Sequence, residues 1–99
     1  MHDLCITVIE IRGKCPVHKL GDKIIIRGPE IDLKETDSIC THALAPLLHY
    51  IVALRTGANP IELGLSKQKD RAYVQCVDPG EPYTEGGTVI FEIKRLGAP

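Results

Sequence analysis

Three of the four cysteines in this chain lie at the ends of predicted helices and strands, where side chains from different segments can meet. Cys15 follows the first predicted strand, Cys40 lies in the first turn of the predicted helix, and Cys76 closes the third predicted strand. The free N–H groups and the positive end of the helix dipole favour a thiolate at Cys40. A thiolate is the form that binds a metal ion or attacks an electrophile. We therefore expect a thiol site to which three segments contribute.

A histidine near the first of these cysteines can complete a ligand set. His18 follows Cys15 in a C-x2-H spacing, which lets both side chains reach one ion from a single loop, and His42 stands two residues after Cys40. Three thiolates with one histidine form a common tetrahedral zinc site. Three thiolates with an open or weakly held fourth position equally suit a four-iron cluster. The predicted metal site is Cys15, His18, Cys40 and Cys76, with an iron–sulfur cluster as the cofactor and zinc or another single transition metal as the alternative.

Other interpretations of the same residues stay open. A free cysteine often packs as a small hydrophobic side chain, which is the expected role of Cys5 in the middle of a strand. A metal-free enzyme or sulfur carrier would use Cys40 or Cys15 as the nucleophile and His18 as its base. In a structural or assembly subunit the cysteines would only support the fold. His42 can belong to a solvated helix stripe, and His18 can be an ordinary loop residue.

The elements that must position these residues predict an α+β domain. Residues 4–12, 23–27, 71–77 and 88–96 are short, β-branched runs bounded by turn formers, which is typical of strands. Residues 39–56 have the apolar spacing of a mostly buried helix. The order is ββαββ, a small antiparallel or mixed sheet packed on one long helix, and residues 1–99 form a single domain. The first strand is apolar on both faces, which predicts a second covering layer and favours a homo-oligomer.

Several single residues carry local predictions. Asp37 or Ser38 can cap the helix near its start, because a short side-chain oxygen accepts from the free N–H groups of the first turn. Pro46 lacks the N–H that would bond the carbonyl of His42, so the helix should kink or restart there. Gly57 is a suitable C-terminal stop. The segment from Asp78 to Gly80 predicts a type II turn, since glycine tolerates a positive φ at its third position.

Composition and charge limit the classes of function. Twelve Lys and Arg against thirteen Asp and Glu leave a formal net charge of -1, so the chain has no overall field that attracts nucleic acid. The most apolar stretch, residues 43–54, is shorter than the roughly 20 residues that a membrane span needs. The first residues do not resemble a signal peptide. We therefore expect a cytoplasmic protein with no nucleic-acid or membrane partner, whose cysteines stay reduced and whose partner is a redox protein.

A resemblance covers nearly the whole chain. Its motifs are a C-P-x-H-K-x-G-D loop, a cysteine that opens the helix and a C-x-D-P segment. The matching positions here are Cys15, Pro16, His18, Lys19, Gly21, Asp22, Cys40, Cys76, Asp78 and Pro79. The sequence resembles a family of small uncharacterised proteins of anaerobic bacteria and archaea, and Val17 stands where the family pattern has glycine. The resemblance implies no particular reaction, but an anaerobic setting favours an oxygen-sensitive metal or iron–sulfur centre.

Overall fold

Five antiparallel strands form one sheet, and a single helix packs on one face of it. The computed structural model describes residues 1–97, so residues 98 and 99 of the predicted domain lie outside the described part. The elements are β1 (Asp3–Arg12), β2 (Lys23–Arg27), β3 (Glu30–Ile31), α1 (Thr41–Arg55), β4 (Arg71–Gln75) and β5 (Thr88–Leu96). The strand order across the sheet is β3-β2-β1-β5-β4. The α+β class is confirmed, and the sheet is antiparallel throughout the described range.

The element order differs from ββαββ by one short strand. β3 has only two residues, and it pairs with the end of β2 through Ile26↔Ile31 and Arg27↔Glu30. Gly28, with a φ of 57°, makes the tight turn between the two strands. A two-residue strand is too short to produce an alternating pattern of apolar side chains, so the sequence gives no period that would predict it.

Burial alternates along β1, and the buried side faces the helix. Leu4, Ile6 and Val8 are at most 2% exposed, whereas Cys5 and Thr7 on the other face are half-buried. The core face is continued by Ile24, Ile26, Ala72, Val74, Val89, Phe91 and Ile93 from the sheet and by Ala43, Leu47, Ile51 and Leu54 from α1. This arrangement buries one face of the sheet under the helix, as expected for an α+β domain.

The outer face of β1 is only partly covered within this chain. Ile9, at a bulge where the β1–β5 register shifts, is 42% exposed. The second layer that the apolar pattern of β1 predicts is therefore absent from residues 1–97. The homo-oligomer that would supply such a layer stays a prediction.

The helix begins two residues later than the sequence predicts. Asp37 does not cap it, because its carboxylate accepts the Lys23 N–H at 2.8 Å and its own N–H donates to the Lys23 carbonyl at 2.8 Å. Asp37 thus pairs with the start of β2. Cys40 becomes the N-cap residue, with an extended backbone, and within residues 1–97 no side chain hydrogen-bonds to this helix end.

Pro46 lies inside a continuous helix, so the predicted restart at this residue is wrong. The carbonyl of His42, which has no N–H to accept from position 46, accepts the Val77 N–H at 3.0 Å. This bond joins the first turn of α1 to the residue that follows Cys76. At the other end, Gly57 has a φ of 97° and its N–H donates to the Leu54 carbonyl, which confirms the predicted stop.

The helix has 15 residues. Within the part of the chain that the structure describes, no helix has the length and apolar character needed to cross a membrane. The length of the helix does not test the cytoplasmic location, which stays a prediction.

Candidate functional site

A partly enclosed cavity of about 330 Å³ lies where the C-terminal ends of β1 and β4 meet the first turn of α1. Its walls come from the β1–β2 loop, the helix start, the residues after β4 and the residues that lead into β5. The titratable residues that line it are Cys15, His18, Cys40, His42, Cys76 and Asp78. All four residues of the predicted metal site therefore face one cavity, although their role as ligands stays a prediction.

Cys15 is held by a turn of the β1–β2 loop and by a close approach of two backbones. The His18 N–H donates to its Sγ at 3.3 Å. The loop reaches the cavity because Gly87 has no side chain: a Cβ there would lie 2.7 Å from the carbonyl carbon of Lys14. Gly87 is thus a packing requirement for the position of Cys15, a role that the sequence alone does not indicate.

Cys76 extends the pairing between β4 and β5 by one residue. Its N–H donates to the Val89 carbonyl at 3.0 Å, and the Val89 N–H donates to its Sγ at 3.3 Å. As a thiol, Cys76 can donate to the Gly87 carbonyl at 3.7 Å. The residue is only 4% exposed, and it lines the cavity.

Cys40 is half-buried at the start of α1. The helix has no acidic residue in its first turn, and within the described range no side chain caps it. The N-terminal end of a helix carries a partial positive charge, which stabilises an anion placed beside it. The thiolate that the sequence predicts for Cys40 stays a prediction. Cys5 lies on the opposite face of the sheet, where its Sγ is 3.6 Å from the Thr7 hydroxyl.

His18 is the most unusual side chain of the cavity. Its side chain is 1% exposed, and neither ring nitrogen has a hydrogen-bond partner within residues 1–97. The ring packs edge-on against Phe91 with centroids 5.2 Å apart, and its Nδ1 lies 4.0 Å from Asp22 Oδ2. Burial lowers the pKa of His18, and the nearby Asp22 only partly opposes this effect. A neutral imidazole is the form that a metal binds.

Asp78 organises the loop between β4 and β5, where the sequence predicts only a turn from Asp78 to Gly80. Its Oδ1 accepts the Gly80 N–H at 2.9 Å and the hydroxyl of Thr84. These bonds, together with the charge of His42, hold the pKa of Asp78 below its usual range. Gly86 packs so closely on this carboxylate that a Cβ there would overlap it. Gly80 has a φ of 77°, which agrees with the predicted turn.

The thiols surround the cavity and do not meet at a point. All four cysteines lie within the described range and are free. Among residues 1–97, no three side chains of His, Cys, Asp or Glu come close enough together to hold a metal ion. A preformed site for a single ion is therefore absent from this part of the chain. Neither ring nitrogen of His18 hydrogen-bonds to a cysteine sulfur within the same residues.

Comparison of the chain with protein-family models, curated proteins and solved structures finds no match. The resemblance based on the cysteine motifs therefore stays a prediction.

Proposed function

We propose that the cavity binds an iron–sulfur cluster through Cys15, Cys40 and Cys76. The observation that supports the proposal is that three cysteines from distant segments line one cavity of about 330 Å³ without converging on one point. A zinc ion needs every sulfur about 2.3 Å away from it. A four-iron cluster is larger, and each of its irons takes one protein ligand, so its ligands are spread around it. Thiols that line one cavity without meeting at a point suit a cluster better than a single ion.

The polar groups around the thiols support the same proposal. A cluster with three thiolates is anionic, and it is stabilised by N–H donors directed at its sulfurs. Backbone N–H groups already donate to Cys15 Sγ and to Cys76 Sγ, each at 3.3 Å. Cys40 lies at an uncapped helix start, where the helix dipole favours negative charge. Each of the three sulfurs therefore has a source of positive potential beside it.

Bound in this cavity, the cluster would supply one-electron chemistry. The chain would contribute the thiolates, the N–H groups that tune the reduction potential, and the loop walls that limit contact with water. This favours a role in redox chemistry or metal handling, with another redox protein as the partner.

The two rival functions have less support from the geometry. A metal-free thiol enzyme needs a base beside its nucleophile, and the imidazole of His18 bonds no sulfur in the described structure. A purely structural role for the cysteines does not account for a buried, unpartnered imidazole, because burying a polar group without a partner costs free energy.

The test is the iron and acid-labile sulfide content of protein purified without oxygen, measured with its visible absorption spectrum. We expect brown wild-type protein, and colourless protein when Cys15, Cys40 and Cys76 are all replaced by Ala. Cys5→Ala is the matched control, because it removes a thiol of similar exposure outside the cavity, and it should keep its iron.

Other outcomes would contradict the proposal. Colourless wild-type protein with one zinc per chain would indicate a single-ion site that forms only when metal is present. Metal-free protein whose Cys40 or Cys15 reacts rapidly with iodoacetamide would indicate the thiol enzyme.

A further inference from the structure

We infer that Met1 is a reversible oxidation site whose sulfoxide is bound by the buried guanidinium of Arg55. Arg55 is the last residue of α1, and the cavity lies at the first turn of the same helix, so the two sites lie at opposite ends of a helix of 15 residues. A helix of that length is about 22 Å long. The inference therefore goes beyond the proposed function and does not depend on it.

The first support is a buried cation without an anionic partner. Arg55 is 8% exposed, and no Asp or Glu within residues 1–97 forms an ion pair with it. Its Nε is buried and has no hydrogen-bond partner in the same range. Buried polar groups are normally paired, and buried charges above all. The guanidinium of Arg55 is therefore a donor that lacks a good acceptor.

The second support is the hydrogen bond that the guanidinium does make. Its Nη2 donates to Met1 Sδ at 3.3 Å. A thioether sulfur is a weak acceptor. Oxidation to the sulfoxide attaches a polar oxygen to that same sulfur, and a hydrogen bond from a charged donor is roughly twice as strong as a neutral one. Oxidation of Met1 would therefore place a strong acceptor beside the donor that lacks one.

The third support is that the sulfur belongs to an exposed side chain on an anchored segment. Met1 is 85% exposed, so a polar sulfoxide there does not disrupt a core, which is the usual damage from methionine oxidation. The His2 N–H donates to the Arg55 carbonyl at 2.8 Å, and β1 begins at Asp3. The backbone beside Met1 is thus already bonded to the end of α1. Met1 is also the single methionine of the chain.

The reaction is a two-electron oxidation of the thioether by a peroxide. With hydrogen peroxide, the S–O bond forms as the O–O bond breaks, the sulfur loses two electrons, and the second oxygen leaves as water. Methionine sulfoxide reductases reverse the change, with one enzyme for each sulfoxide epimer; two electrons from thiols then return the thioether and release the oxygen as water. The contact between the N-terminus and the end of α1 would therefore alternate between a weak and a strong form.

The experiment compares the melting temperature of the metal-free full chain before and after treatment with hydrogen peroxide. Dithiothreitol added afterwards returns sulfenic acids and disulfides to thiols and leaves the sulfoxide, and mass spectrometry selects protein with one added oxygen, located on Met1. We expect the oxidised wild type to melt about 4–8 °C higher, which is the shift that one ordinary hydrogen bond produces in a domain of this size. An unchanged or lower melting temperature would overturn the inference.

Two arginine variants locate the effect. Arg55→Leu removes the guanidinium, and its melting temperature should be the same with and without oxidation; each variant is compared with its own oxidised form, so a general loss of stability cancels. Arg95→Gln is the matched control, because Arg95 lies at the same helix end but donates to the Leu54 and Ala58 carbonyls. It should keep the full rise. A rise that persists in Arg55→Leu, or that disappears in Arg95→Gln, would overturn Arg55 as the group that binds the sulfoxide.

A second measurement on the wild type does not require a variant that folds. NMR of protein labelled with ¹⁵N-arginine follows the exchange of the Arg55 guanidinium protons with water. We expect this exchange to slow roughly fivefold on oxidation of Met1, which is the factor that one ordinary hydrogen bond supplies. Equal exchange rates in the two forms would show that the sulfoxide does not bind Arg55.

Discussion

The contact between Gly87 and the backbone of Lys14 makes the cavity sensitive to one added methyl group. In Gly87→Ala the Cβ would lie 2.7 Å from the Lys14 carbonyl carbon and oxygen and 2.8 Å from its nitrogen. These are backbone atoms, which cannot rotate away, so the two loops must separate. Overpacking of this kind costs about 1–3 kcal/mol. Because Cys15 follows Lys14 directly, the same displacement moves its sulfur away from the cavity.

The assay has two readouts. Urea unfolding of the metal-free protein should show the free energy of unfolding reduced by about 1–3 kcal/mol. In a domain of this size the melting temperature falls by about 4–8 °C for each kcal/mol. Iron and sulfide loading should fall as well, because the ligand that is displaced is one of the three proposed thiolates.

Gly28→Ala is a control with a matched loss of stability. Gly28 has a φ of 57°, so alanine there costs roughly 1–2 kcal/mol, but no atom lies within 4 Å of the added Cβ. It should lose stability and keep normal cluster loading. Equal loading of both variants would refute the idea that Gly87 positions Cys15, and an unchanged stability of Gly87→Ala would refute the contact itself.

Four further predictions follow from other contacts. Phe91→Ala should lower the free energy of unfolding by about 3–5 kcal/mol in urea, because the ring is fully buried; a loss below 1 kcal/mol, on the order of a surface substitution, would contradict its place in the core. Thr84→Val removes the hydroxyl that donates to Asp78 and should cost roughly 1 kcal/mol, measured as a lower urea midpoint. Removal of iron by a chelator should lower the melting temperature of the wild type and not that of the triple cysteine variant, since a group bound only by the folded state stabilises it. Sedimentation should give a mass above that of one chain, and Ile9→Lys, on the half-covered face of β1, should shift it to the monomer.

The sequence predicts the long strands and the helix well because their side-chain patterns have a period. β1 and β5 contain enough β-branched residues between turn formers to define them. The helix start is predicted wrongly, because Asp37 is a good cap by type but bonds to Lys23, which lies far away in sequence. A hydrogen bond between residues so far apart in sequence leaves no local pattern that would predict it. The two-residue strand β3 leaves no local pattern either.

The cavity is predictable in part. Cys15, Cys40 and Cys76 could be singled out since each follows or begins an element, and the antiparallel pairing of β1, β5 and β4 brings two of those ends together. The burial of His18 could not be foreseen, because it depends on Phe91 from the last strand. The roles of Gly86 and Gly87 were also missed, since a close approach of two loops leaves no pattern in either loop. Asp78 and Gly80 give a local signal for this part of the cavity, because their types predict the turn that follows β4.

The bond between the His42 carbonyl and the Val77 N–H has a consequence for how this end of the molecule opens. Since Pro46 leaves that carbonyl without a partner in the helix, the first turn of α1 is held partly by the sheet and less by its own hydrogen bonds. Amide hydrogen exchange reports such local opening residue by residue. The Val77 amide should exchange when its hydrogen bond to His42 breaks and the start of α1 moves away from the end of β4. Its exchange rate would then report how often the segments that carry Cys40 and Cys76 separate.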